Sequence, residues 1–257
     1  MNLGSLQVLV CLLTAHLIAD FLLQTENDIN KKDTLKVLLK HSSIHALLAY
    51  TLVGVLSWWE IPLSILLSHA LIDRMKARSK NKSVIVFVID QLAHVFILAL
   101  LAYLLPSLYP NETPFWVLWL GSGYFQALVL LIGIIMVTRV GGIFIGMAAT
   151  PYLNQLEATR RQDGSKEKRA VDPLSRGFDN GGYIIGQLER SLILLLVLSN
   201  QAAAIGILIA AKSLFRFGEI KDRSNRMEAE YILIGTLMSF LFALVVSFAV
   251  QKLLPLI

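Results

Sequence analysis

Leu3–Gln24 reads LGSLQVLVCLLTAHLIADFLLQ, a stretch with no Lys, Arg or Glu whose only ionisable interruptions of note are His16 and Asp20. At about 1.5 Å per residue, a helix of this length crosses the roughly 30 Å hydrocarbon core of a bilayer. Seven further stretches follow: Leu35–Trp58, Ile61–Ala77, Ser83–Leu105, Phe115–Val137, Gly181–Ser199, Ala202–Phe217 and Met227–Leu254. The fifth stays helix-compatible from Gly141 to Leu156 except at Pro151. Bulk composition agrees: of 257 residues, 16% are charged and 56% hydrophobic, against about 25% and 45–50% for a soluble domain. Such a chain is neither disordered nor a disulfide scaffold, and no nucleic-acid partner is expected. The single cysteine, Cys11, has no disulfide partner within the chain.

Basic residues alternate between the connections. Lys31, Lys32, Lys36 and Lys40 follow the first stretch, and Arg74, Lys76, Arg78, Lys80 and Lys82 follow the third. Seven more lie from Arg139 to Arg176 and five from Lys212 to Arg226, while the turns at Ser57–Pro62, Pro106–Pro114 and Asn200 have none. Positive charge is retained on the cytoplasmic side. The pattern predicts an all-α, polytopic membrane protein of about eight transmembrane helices, with both termini outside. Its two four-helix halves would cover residues 1–110 and 111–257, the second including a cytoplasmic loop at about 155–180. The first stretch lacks a basic leading region and is interrupted by His16 and Asp20, so it is expected to be a retained helix and not a signal peptide.

All five histidines fall in the first half, and each belongs to a pair four residues apart: His16 with Asp20, His41 with His45, His69 with Asp73, and Asp90 with His94. Residues four apart share one helix face. In the predicted topology, every pair lies near the cytoplasmic end of its helix. Gln24 extends the His16–Asp20 face, and Gln91 adjoins Asp90. The pairs also repeat: His16-x-x-x-Asp20 resembles His69-x-x-x-Asp73, and His41-x-x-x-His45 resembles Asp90-x-x-x-His94. Two hairpins of the same orientation imply a pseudo-twofold axis along the membrane normal.

Ionisable groups at bilayer depth cost roughly 2.5–3.5 kcal/mol each on insertion scales. Eight of them must therefore pair with one another, with water or with a metal. Imidazole and carboxylate without thiolate suit a divalent metal ion, zinc first, with manganese or iron as alternatives. The candidate metal ligands are His16, Asp20, His41, His45, His69, Asp73, Asp90 and His94. His41, His45, His69, Asp73 and His94 are the preferred set, and Asp20 or Asp90 is the expected general base. A proton or ion pathway without bound metal, and plain interhelical hydrogen bonding, are the competing readings.

The second half has no histidine but gathers Arg139, Glu189, Arg190, Lys212, Arg216, Glu219, Glu228 and Glu230 towards its cytoplasmic side. Internal ion pairs would account for them. Alternatively, Arg190, Lys212 and Arg216 form a pocket for a phosphate or lipid headgroup.

The string HLIADFLLQ from His16 to Gln24, the His41/His45 pair, His69-x-x-x-Asp73 and Asp90-Gln91-x-x-His94 resemble a bacterial multi-pass membrane family catalogued as domain of unknown function 3307. That likeness implies a bacterial inner-membrane location and no activity. The His-x-x-x-Asp pairs are more loosely similar to those of inner-membrane metal-dependent hydrolases. Three functions follow as expectations. The first is a metal-dependent hydrolase acting at the cytoplasmic leaflet on a lipid or phosphorylated substrate, with membrane lipids as its surroundings. The second is a divalent-metal or proton transporter or channel. The third is a membrane anchor or sensor that meets a cytoplasmic protein partner through the 155–180 loop.

Overall fold

The structure, a computed structural model, describes residues 3–30, 34–78, 83–162, 180–217 and 226–257. Every element among them is helical. In chain order they are α1 (Ser5–Ile18), which continues as a π-helical turn at Ala19–Leu23, α2 (Glu26–Asn30), α3 (Leu35–Val53), α4 (Glu60–Ala77) and α5 (Val84–Leu108). Then come α6 (Phe115–Leu120) and α7 (Gly123–Ile135), which passes through a second π turn at Met136–Val140 into α8 (Gly141–Gln162). Last are α9 (Gly181–Leu198), α10 (Ala202–Phe217) and α11 (Arg226–Leu253). Five helical runs among the described residues are long and apolar enough to cross a membrane: Ser5–Leu23, Val84–Leu108, Gly123–Thr159, Gly181–Leu198 and Met227–Leu256. α3 and α4 are as long as spanning helices but carry the buried His and Asp residues that lower their apolarity.

Two expected boundaries move. The fifth stretch does not begin as one helix at Phe115. Gly121 adopts φ +60° and separates α6 from α7, so the membrane-length run starts at Gly123. The second stretch ends at Val53, not Trp58. Gly54 takes the left-handed conformation (φ 70°) and its N–H bonds the Tyr50 carbonyl, a helix stop that other residues reach only with strain. Beyond it, the Trp116 indole donates to the Thr51 carbonyl at 2.6 Å and the Tyr124 hydroxyl to the Leu52 carbonyl at 2.5 Å. The last carbonyls of α3, which have no partners within their own helix, are thus closed by α6 and α7. Trp58 lies in the following turn, fully buried.

The described chain forms two compact units. One is Met1–Ile135 with Lys252–Ile257, and the other is Met136–Gln251. The division lies later than residue 110 because α7 packs on α1. In the first unit, α1 meets α3, α3 meets α4, α4 meets α5 and α5 meets α1, a closed ring of four helices with α1 and α4 on one diagonal. That order is the one two same-orientation hairpins give when a twofold axis relates them. The second unit packs Ile193 and Val197 of α9 with Ile205 of α10 and with Phe240 and Ala243 of α11.

Gly54→Ala should destabilise the first unit. It places a Cβ 2.8 Å from the Trp116 ring in a conformation that costs an L-residue about 1–2 kcal/mol. Cys11, fully buried, supplies the readout. A thiol-reactive fluorophore followed during heating of the detergent-solubilised chain should report a Tm several degrees below wild type.

Candidate metal centre

The four-helix ring carries its polar pairs inward at one level. His16 lies on the last turn of α1, and Asp20 in the π turn that follows. His41 and His45 occupy the first half of α3, His69 and Asp73 the last turns of α4, and Asp90 and His94 the second and third turns of α5. All five imidazoles, Asp73 and Asp90 are buried, and the Asp20 side chain is only 9% exposed. A π turn inserts one residue into the α-helical repeat and often marks a functional position. Here it coincides with Asp20.

Asp20 organises one group. Its Oδ1 lies 3.0 Å from His41 Nε2, 3.1 Å from His45 Nε2 and 3.9 Å from His69 Nε2. For metal–ligand bonds of 2.0–2.1 Å, ligand atoms at the corners of a tetrahedron stand about 3.3–3.4 Å apart, so these separations bracket a four-ligand set. A second group contains His69, Asp73 and His94. Asp73 Oδ2 is 3.4 Å from His69 Nε2 and 3.6 Å from His41 Nε2. The two groups share His69, whose single Nε2 lone pair serves one ion at a time.

The tautomer of His94 is fixed by its surroundings. Its Nδ1–H donates to the Asp90 backbone carbonyl at 2.9 Å, which leaves Nε2 as a bare lone pair. Among the described residues, neither His94 Nε2 nor His69 Nε2 has a hydrogen-bond partner, although both are buried. A carbonyl holding one ring nitrogen while the other is free is the arrangement that presents imidazole to a metal. Beside these atoms lies a cavity with room for about one water, lined by His16, His45, His69, His94, Ser68 and the apolar Leu12, Ile65 and Leu98.

His16 and Asp90 stand outside both groups. His16 Nε2 faces Gln91 Oε1 at 3.2 Å and Asp20 Oδ2 at 3.7 Å. The Gln91 amide donates to Asp20 Oδ2 (3.3 Å) and to Asp90 Oδ2 (3.2 Å). Asp90 Oδ2 also accepts from Lys76 Nζ at 2.6 Å. Gln24, extended after the π turn, sets its amide 3.3 Å from His41 Nε2. Lys76 is the residue that sequence reasoning missed. It was counted only as a cytoplasmic charge, yet it lies three residues after Asp73 on a helix and so projects from the same side of α4.

Among the described residues of the second unit, Arg190 and Lys212 each have partners of their own. The buried Arg190 donates Nε–H to the Val137 carbonyl at 2.5 Å, NH1 to Ser239 Oγ at 3.0 Å and NH2 to the Thr138 carbonyl at 3.4 Å. Its guanidinium fills the space beside Gly141 and Gly186. Lys212 pairs with Glu189. The Arg216 side chain, and nearly all of the 155–180 loop beyond Gln162, lie outside the described residues.

A ligand that binds only the folded state adds about 2.7 kcal/mol of stability at one hundred times its Kd. Zinc or manganese at such concentrations should raise the wild-type Tm. The shift should vanish in Asp20→Asn and in His45→Ala. An equal shift in both variants would place the cation elsewhere.

No curated protein and no solved structure matches the chain. Residues 8–117, which hold the whole His/Asp cluster, match the model of the family described as Protein of unknown function (DUF3307).

Proposed function

We propose that the chain is an intramembrane metalloprotein, and that its His/Asp centre is the active site of a metal-dependent hydrolase acting at the cytoplasmic leaflet on a lipid or phosphorylated substrate. The observation that carries this reading is the convergence of Asp20, His41, His45 and His69 on one point, beside a buried His94 Nε2 that has no hydrogen-bond partner among the described residues. Hydrogen bonding alone would leave the His94 lone pair unsatisfied in a dry interior, at about 1–3 kcal/mol. A divalent ion held by that set, zinc before manganese or iron, would lower the pKa of a bound water to about 7.

The protein's own groups divide the remaining work. Asp20 is better placed as a ligand than as a base, because Oδ1 lies among three imidazoles. Asp90 is held by Lys76 and Gln91, which suits an outer carboxylate that orients its neighbours. His16, whose Nε2–H donates to Gln91 Oε1 at 3.2 Å, holds that amide towards Asp20 and Asp90. The small cavity beside His69 and His94 has room for about one water, between four imidazoles and the apolar Leu12, Ile65 and Leu98.

The expected topology accompanies this reading: eight spans in a bacterial inner membrane, both termini outside, and the cluster near the cytoplasmic face. The distribution of Lys and Arg supports it. Single cysteines introduced at Ser57, Asn111 and Asn200 should label from outside intact cells, and one at Ser165 only after permeabilisation. The reverse pattern would put the cluster at the outer leaflet.

Elemental mass spectrometry of the untagged, detergent-purified chain should find bound zinc, manganese or iron. The double variant His69→Ala/Asp73→Ala should lack it while Cys11 stays protected. Wild type, and not the double variant, should then release products from inner-membrane phospholipid vesicles, detected by phosphorus NMR and lipid mass spectrometry. Bound metal without turnover would leave a metal-binding protein and remove the hydrolase.

A further inference from the structure

The repeat gives each residue of the centre a counterpart. Asp20 corresponds to Asp73, His16 to His69, His45 to His94, and His41 to Asp90. The rings obey this relation. His45 stacks on His69 at an interplanar angle of 27°, and their counterparts His94 and His16 stack at 29°. His16 and His45 meet at 48°, and His69 and His94 at 44°. The ring orientations therefore follow the repeat, whereas the aspartate contacts do not: Asp20 Oδ1 meets His41 and His45, but Asp73 Oδ2 meets His69 and His41.

One chemical difference breaks the symmetry. Where the first copy has the imidazole of His41, the second has the carboxylate of Asp90. That carboxylate meets an ammonium, Lys76 Nζ at 2.6 Å, and the counterpart of Lys76 in the first copy is Leu23, exposed and apolar. The extra negative charge and the extra positive charge thus occur together in one copy and are both missing from the other. Asp20, Asp73 and Asp90 bring three negative charges to the centre. Lys76 cancels one, and the imidazoles add none as neutral ligands. Two negative charges remain, the complement of one divalent cation. A second such cation would leave two positive charges uncompensated in a buried, weakly screened site.

We propose, resting on the metal-centre reading above, that this duplicated frame holds a single divalent cation on the side of Asp20, His41, His45 and His69. Lys76 supplies in the second copy the charge that a second cation would otherwise supply. Lys76 is then a positioning residue that sets how many ions bind, although it ligates none.

The test counts zinc per chain by elemental mass spectrometry after saturation and desalting of the detergent-purified full chain, with Cys11 protection as the check on folding. Wild type is expected to hold one equivalent. Lys76→Met removes the ammonium and should raise the count towards two. The double variant Lys76→Met/Asp90→Asn removes both charges and should return it to one. Lys76→Arg, which keeps the charge, should stay at one and serves as the second variant if Lys76→Met does not fold. Two equivalents in wild type or in Lys76→Arg overturn the proposal, as does a folded Lys76→Met that stays at one. No zinc in any variant instead removes the metal-centre reading itself.

Discussion

The contact between Asp20 and the two histidines of α3 fixes much of the first unit. One carboxylate oxygen within 3.1 Å of two imidazole nitrogens ties α1 to α3 at a depth where neither helix could leave its polar group facing hydrocarbon. In such surroundings, two like charges about 5 Å apart repel by roughly 3 kcal/mol at an effective dielectric constant of 20. Asp20, Asp73 and Asp90 consequently each have imidazole, amide or ammonium beside them. Gln91 links the Asp20 end of this network to the Asp90 end. The ring order of α1, α3, α4 and α5 satisfies all of these pairings at once, and apolar packing of Val8, Leu12, Ala49, Ile65 and Leu98 fills the layer above.

Much of this was legible in the residues. Spacing of four put each His/Asp pair on one helix face, and the likeness of His16–Asp20 to His69–Asp73 announced the diagonal placement of α1 and α4. The orphaned Nε2 atoms were not legible, because tautomers depend on which carbonyl a ring meets, and that is a property of the folded helix. Lys76 was hidden for a related reason. A lysine shortly after an apolar run reads as a flank in contact with water, and only the partner on α5 shows that its ammonium reaches inward. The early stop of α3 needed Gly54 to be weighed against the apolar residues that continue past it. Tertiary donors from Trp116 and Tyr124 made the stop stable.

In the second unit, Arg190, Lys212 and Arg216 look like a basic cluster on paper, and Lys212 is paired with Glu189. The π turn at Met136–Val140 instead puts the Val137 and Thr138 carbonyls within reach of Arg190, and the guanidinium acts as a clasp between α9, that turn and α11. An arginine can spend its donors on backbone as readily as on phosphate, and sequence does not distinguish the two.

The unequal apolarity of the ring helices has a consequence for how the chain is made. α1 and α5 are greasy enough to partition into lipid by themselves, whereas α3 and α4 fall short because of the histidines and charged residues they carry. The translocation machinery meets α3 after α1 and α4 before α5, so the two reluctant helices are bracketed by two willing ones. Their passage into the bilayer is a collective event, completed when α5 brings Asp90 and His94 to close the polar seam. Until that moment the nascent chain holds a half-built cluster that water, or a helper protein, must keep company.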